Sequence, residues 1–197
     1  LNPEHVSAYS LIIEEGTPFY QLYEKDAEKR DAGEEPELLP SEEEERAMYE
    51  LTGSVLKENG YLHYEISNYA KPGRECRHNL GYWQRKDYLG FGLGASTLLN
   101  PVRYKNTEDL CTYLGGDFSK KEFLVLTKDN QIEETMFLGL RVLNGVSRKK
   151  FKETFSCDLN VVYWRELEKL EEEGDFVRLT SRGIDLSNPV LAEFLLS

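Results

Sequence analysis

Within six residues the chain sets a histidine, an asparagine, a tyrosine and a tryptophan, in the run His78-Asn79-Leu80-Gly81-Tyr82-Trp83. A neutral imidazole is a common ligand of haem iron, and the protein sets its strength through hydrogen bonding and local polarity. Aromatic rings beside it have the shape to stack on a porphyrin and keep water out. A histidine in such company also serves as a hydrogen-bonded structural residue, and spacing alone leaves both readings open. His5 and His63 fall on expected strands and read as structural.

A glycine-punctuated turn follows, Gly90-Phe91-Gly92-Leu93-Gly94-Ala95-Ser96. Residues without Cβ take φ > 0 and let a backbone come close to something bulky. The pattern is GxGxG, not GxGxxG, so it is a poor dinucleotide fingerprint. It reads either as a wall for a large planar or adenosyl-type ligand or as a tight strand end packed on its own sheet.

Other classes of function are disfavoured by composition. Over 197 residues the formal net charge is −12, which works against the counterion release that drives nucleic-acid binding. No apolar run is long enough for a transmembrane segment, so the chain is expected to be soluble and cytoplasmic. Cys76, Cys111 and Cys157 lie dozens of residues apart, a spacing that forms neither a zinc site nor an iron–sulfur cradle. The 40% of hydrophobic residues suffices for a real core. The chain opens on Leu1 without an initiator methionine, and is expected to be a piece of something longer.

The elements that must position these motifs follow from local signals. Residues 5–13 read as a buried strand. Thr17 caps a helix with Pro18 in its first turn and Phe19, Leu22 and Tyr23 on one face. Ser41 and Glu44 form a capping box, opening a helix whose Met48, Leu51, Val55 and Leu56 make a stripe expected to be buried, with Gly60 ending it. Residues 61–66 read as a second strand, and the strand–helix alternation predicts a parallel α/β arrangement. Residues 67–110 read as loop-rich.

After Gly115-Gly116 the character changes. Helices are expected over 131–144, 147–156 and 160–173, then a strand Phe176–Leu179, a turn at Ser181-Arg182-Gly183 and a last helix from Asn188. That outline is winged-helix-like. The third helix would carry Glu166, Glu168, Glu171, Glu172 and Glu173 towards phosphates, which argues against DNA binding. The expected domains are therefore 1–116 and 117–197.

Three separated segments, HVSAYSLIIEEGTPFY, YEISNYAKPGRECRHNLGYW and DYLGFGLGAST, resemble the oxygen-independent coproporphyrinogen III oxidase family of radical SAM proteins, and within it the haem-chaperone branch. The similarity runs in order through residues 1–110, and the remainder resembles that family's C-terminal domain. The resemblance implies α/β plus α: the C-terminal part of a partial (β/α) radical SAM barrel, then a winged-helix-like helical domain. It also implies that HNxxYW, here His78, Asn79, Tyr82 and Trp83, contacts haem, with His78 towards the iron. Gly90, Gly92, Gly94 and Ala95 match the family's LGxGxGA segment, on the side facing S-adenosyl-L-methionine (SAM).

Full-length members hold a [4Fe–4S] cluster in a CxxxCxxC loop. No such loop lies in this chain, so SAM and [4Fe–4S] are expected only in a full-length parent, and radical chemistry is not expected of this chain alone. The leading expectation is a haem-trafficking protein binding haem or porphyrin and delivering it to a haem-acceptor protein. The alternatives are oxidative decarboxylation of coproporphyrinogen III in porphyrin biosynthesis, and a non-catalytic interaction module. Strands cut from a barrel expose unpaired edges, so either self-association or poor order over much of residues 67–110 is expected.

Overall fold

The computed structural model describes Leu1–Asp185 and Ser187–Leu196. Residues 1–75 and 76–197 form two compact units.

In the first unit, β1 (His5–Ser7), α1 (Pro18–Asp31), α2 (Glu42–Glu58), β2 (Leu62–Glu65) and β3 (Asn68–Ala70) succeed one another. The strands pair in the order β1-β3-β2, each pairing antiparallel. This corrects the parallel arrangement expected from the alternation. The reason is local: the buried Glu65 carboxylate accepts from the Ser67 N–H and the Asn68 amide. That interaction closes a tight reversal, and β3 folds back between β1 and β2. Only residues 5–7 of the expected 5–13 strand are extended in the sheet, because the pairing ends where Ala8 N–H reaches Ser67 O.

Both helix starts follow their caps. Thr17 Oγ1 accepts from Tyr20 N–H at 3.2 Å, and Ser41 exchanges hydrogen bonds with Glu44. The loop after α1 is tied down by Asp26, whose buried carboxylate accepts from the backbone of Glu37, Leu38 and Leu39. Those bonds hold the Asp26 carboxyl below the usual carboxylate range.

The stripe of α2 is not buried. Met48, Leu51 and Val55 are 49%, 63% and 47% exposed. Periodicity defines an apolar face but does not supply a partner for it. The sheet instead engages an adjacent face: Tyr49 Oη donates to Ile66 O at 2.9 Å, and Gly53 lies against the Tyr69 hydroxyl.

The second unit begins with α3 (Arg77–Trp83), β4 (Ser96–Leu99), β5 (Val102–Asn106), α4 (Leu110–Leu114) and β6 (Lys120–Val125). The three strands form an antiparallel sheet in sequence order, so much of the stretch expected as loop is regular structure. There follow α5 (Lys128–Gly139), β7 (Val146–Ser147), α6 (Arg148–Phe155), α7 (Leu159–Val162), a 3-10 turn (Glu166–Lys169), β8 (Leu170–Glu173), β9 (Phe176–Leu179), α8 (Ser181–Asp185) and α9 (Ser187–Ala192). Strands β7-β9-β8 form a second antiparallel sheet.

The helix expected over 160–173 is thus a short helix, a 3-10 turn and a strand. Its acidic tail pairs across the hairpin, Arg178 binding both Glu171 and Glu173, while Leu170, Val177 and Leu179 go inward. Cross-strand charge pairing outweighs the helix propensity of the glutamates. The turn expected at 181–183 is helical, capped by Thr180 Oγ1 on Gly183 N–H. Met136, Leu140, Phe151, Phe155, Leu159, Tyr163 and Phe194 form the core, with Tyr163 Oη donating to Phe194 O.

Candidate functional site

All of HNxxYW lies on α3. His78 and Tyr82, one helical turn apart, share a face. Their rings meet edge-on with centroids 4.6 Å apart, and Tyr82 meets Tyr88 edge-on at 4.7 Å. Tyr88 is anchored in turn, its backbone exchanging both hydrogen bonds with Leu98 of β4. Burial raises the Tyr88 hydroxyl above its ordinary value. The result is a ladder of three rings rooted in a sheet, with His78 at its outer end.

The three histidines differ in what their nitrogens do. His5 Nε2 is 2.8 Å from Tyr64 Oη. His63 Nε2 lies 3.3 Å from Tyr49 Oη and 3.2 Å from Ile66 O, and its ring stacks on Tyr69 at 4.2 Å. His78 is exposed, and among the described residues its imidazole has no hydrogen-bond partner. An accessible imidazole beside aromatic rings fits haem iron by its chemistry.

Trp83, the last residue of α3, is packed on one face. The Arg141 guanidinium lies over its ring, 4.7 Å from the centroid, so one face is filled from within. Trp83 Nε1 and Arg141 Nε are both buried without hydrogen-bond partners among the described residues. Asn79 is half-buried on the same helix.

The glycine turn is held against its own sheet. Gly90 N–H donates to Thr97 Oγ1, and Asn106 Nδ2 donates to the carbonyls of Gly90 and Gly92 at 3.2 and 2.9 Å. Lys120 Nζ donates to Asn106 Oδ1 in turn. A Cβ on Gly90 would sit 2.2 Å from Ser96 O, while Gly92 and Gly94 have φ of +97° and +66°. Ala95 is half-buried, and its carbonyl accepts from Asn106 N–H.

Beneath α3, Glu134 of α5 accepts from Arg85 Nε at 2.9 Å and from both terminal nitrogens of Arg103 at 2.8 and 2.9 Å. Tyr88, Asn106, Glu134 and Arg141 were not among the residues expected at the site. Tyr88 lies in the segment that begins at Asp87, whereas Asn106, Glu134 and Arg141 lie outside the motifs, and nothing local marks them. Cys76, Cys111 and Cys157 are thiols that form no disulfide. No three His, Cys, Asp or Glu side chains among the described residues converge as a metal site, so these residues do not fit a [4Fe–4S] cluster. No helix among them is long and apolar enough to cross a membrane.

The fold is a mixture of helices and small antiparallel sheets, with no closed barrel among the described residues. It matches the structure of coproporphyrinogen III oxidase (HemN) from Escherichia coli, described as a radical SAM enzyme, with a TM-score of 0.66 over 99% of this chain and 48% of that one. Identity there is 14%, so this likeness is one of fold. Residues 126–186 match the HemN C-terminal domain family. The chain is 38% identical to the heme chaperone HemW of Lactococcus lactis subsp. lactis, over 98% of this chain and 50% of that protein. It is also 38% identical to the heme chaperone HemW of Bacillus subtilis, over 99% of this chain and 52% of that protein. The chain resembles the C-terminal half of oxygen-independent coproporphyrinogen III oxidase-like proteins, HemW among them. It spans about half the length of these curated relatives.

Proposed function

We propose that this chain is the haem-contacting part of a haem chaperone of the HemW kind, with His78 as ligand to the haem iron and Asn79, Tyr82 and Trp83 around it. The observation that carries the reading is the contrast among the histidines. Two are hydrogen-bonded within the first unit, whereas His78 is exposed, uncommitted and steadied by a ring ladder.

Gly90, Gly92, Gly94 and Ala95 shape a wall on the SAM side of the longer protein, where SAM and a [4Fe–4S] cluster are held by residues outside this chain. Residues 117–197 act as a winged-helix-like domain. The protein works in the cytoplasm, passes haem to an acceptor protein, and the chain by itself self-associates. The fold likeness to a coproporphyrinogen III oxidase favours a second reading, decarboxylation of porphyrinogen propionates by the longer protein.

Hemin titration of the chain tests the first reading. His78→Ala is expected to weaken binding and change the Soret band. An unchanged affinity and spectrum removes His78 as the ligand.

A further inference from the structure

Helix α3 is poorly equipped to hold its own orientation. It has seven residues, no side-chain cap, no fully buried residue and a glycine in its interior, Gly81. Isolated helices of that length are unstable, and an interior glycine weakens them further. The direction of the His78 imidazole is therefore set by what grips α3 from outside.

The grip is concentrated at the C-terminal end, and much of it comes from one place. Glu134, on α5, binds Arg85 just beyond the helix and Arg103 on β5. Arg141, just past the end of α5, covers Trp83. The side chains of Arg85 and Glu134 are 7% and 14% exposed, so this pair is protected from solvent screening. One carboxylate between two guanidiniums is geometrically demanding: removing it leaves two cations close together, one of them buried. Glu134 and Arg141 both lie within residues 126–186, the segment that matches the HemN C-terminal domain.

We propose that Arg141 and Glu134 are positioning residues for His78, through which the C-terminal domain sets how strongly the motif helix holds haem. The proposal rests on the reading of His78 as the iron ligand. Neither residue touches the iron. Arg141 fixes the roll of α3 by filling one face of Trp83, and Glu134 fixes its far end through Arg85. His78 lies five residues before Trp83, about 7.5 Å along the axis at 1.5 Å per residue. A roll of the short helix at Trp83 is transmitted to the imidazole, and the ring ladder with Tyr82 and Tyr88 is disturbed with it.

The test is hemin titration of the full chain, followed by the Soret band and by the axial-ligand signature in electron paramagnetic resonance, with far-ultraviolet circular dichroism to verify folding. Arg141→Ala and Glu134→Gln are each expected to weaken hemin binding about tenfold, the lower end of what outer partners of a metal ligand contribute, and to alter the ligand signature. Arg141→Lys keeps the charge but loses the planar stack, and is expected to fall between. In a His78→Ala background the Arg141 and Glu134 substitutions are expected to have no further effect, because they act through the imidazole.

A full loss that persists in the His78→Ala background overturns the proposal, and so does unchanged binding by folded Arg141→Ala and Glu134→Gln. If Arg141→Ala does not fold, Arg141→Lys and Glu134→Gln decide by the same criteria. If His78→Ala alone leaves binding and spectrum intact, the reading of His78 fails, and this inference with it. The two failures are distinct in the data.

Discussion

The His78 imidazole meets the Tyr82 ring edge-on, with centroids 4.6 Å apart and planes at 79°. The contact is made within one helix, but it matters because Tyr82 meets Tyr88 in the same way, at 88°. Aromatic pairs of this geometry contribute about 0.5–1.5 kcal/mol beyond the area they bury. Tyr82→Leu is therefore expected to weaken hemin binding roughly two- to tenfold, and Tyr82→Phe to leave it near the parent value. Soret titration of the two variants checks this, and equal losses would mean that the hydroxyl matters and the ring does not.

The glycines of the motif region should rank sharply on substitution. Gly90→Ala places a Cβ 2.2 Å from a backbone oxygen that cannot move aside, so we expect a loss of several kcal/mol or a chain that does not fold. Gly92 faces open space and has only its φ of +97° against alanine, a cost of about 1–2 kcal/mol. Gly81 lies mid-helix, and a methyl group there would meet nothing within 4 Å; Gly81→Ala should stabilise by about 0.5–1 kcal/mol. Urea midpoints of the three variants test the order.

Asn106 holds two glycine carbonyls and receives Lys120. Asn106→Asp keeps the acceptor for Lys120 but loses both donations and sets a carboxylate against two carbonyl oxygens. It should destabilise more than Asn106→Ala, for which we expect about 1–3 kcal/mol. Chemical denaturation of both variants gives the comparison; an aspartate variant as stable as the parent would show that the carbonyls do not depend on this residue.

Burial pushes the His63 imidazole below its ordinary value of 6.5, against smaller opposing contributions from the Ile66 carbonyl and the Glu65 carboxylate. The groups facing it are Tyr49, Tyr69 and Glu65. As pH falls below 6.5 the unfolded chain takes up this proton before the folded one does. The stability contributed by neutral His63 is thus complete above 6.5 and is lost as pH falls through the lower folded value. His63→Gln should flatten the fall of the urea midpoint as pH drops below 6.5. A slope identical to the parent would show that His63 is not its source.

Some of this molecule was legible residue by residue. Thr17 and the Ser41–Glu44 pair announced their helices because a cap is satisfied within three residues of itself. Gly92 and Gly94 adopted the positive φ for which glycine is suited, whereas the helix that puts His78 and Tyr82 on one face lay in a stretch expected to be loop-rich. Around the motif, the pattern of residue types was legible, and the distant side chains packed against it, Glu134 and Arg141, were not.

Other features were decided only in three dimensions. β3 entered between β1 and β2, Arg178 drew Glu171 and Glu173 into a strand, and the stripe of Met48, Leu51 and Val55 stayed exposed. Arg141 reached Trp83 across 58 residues, and Glu134 reached Arg85 across 49. The sequence by itself determined what the backbone settles over a single turn: caps, helix faces and the sites of left-handed glycines. Only the tertiary structure decided which distant side chains complete the site, because pairing across long loops depends on closure entropy, burial and competing partners that no local pattern records.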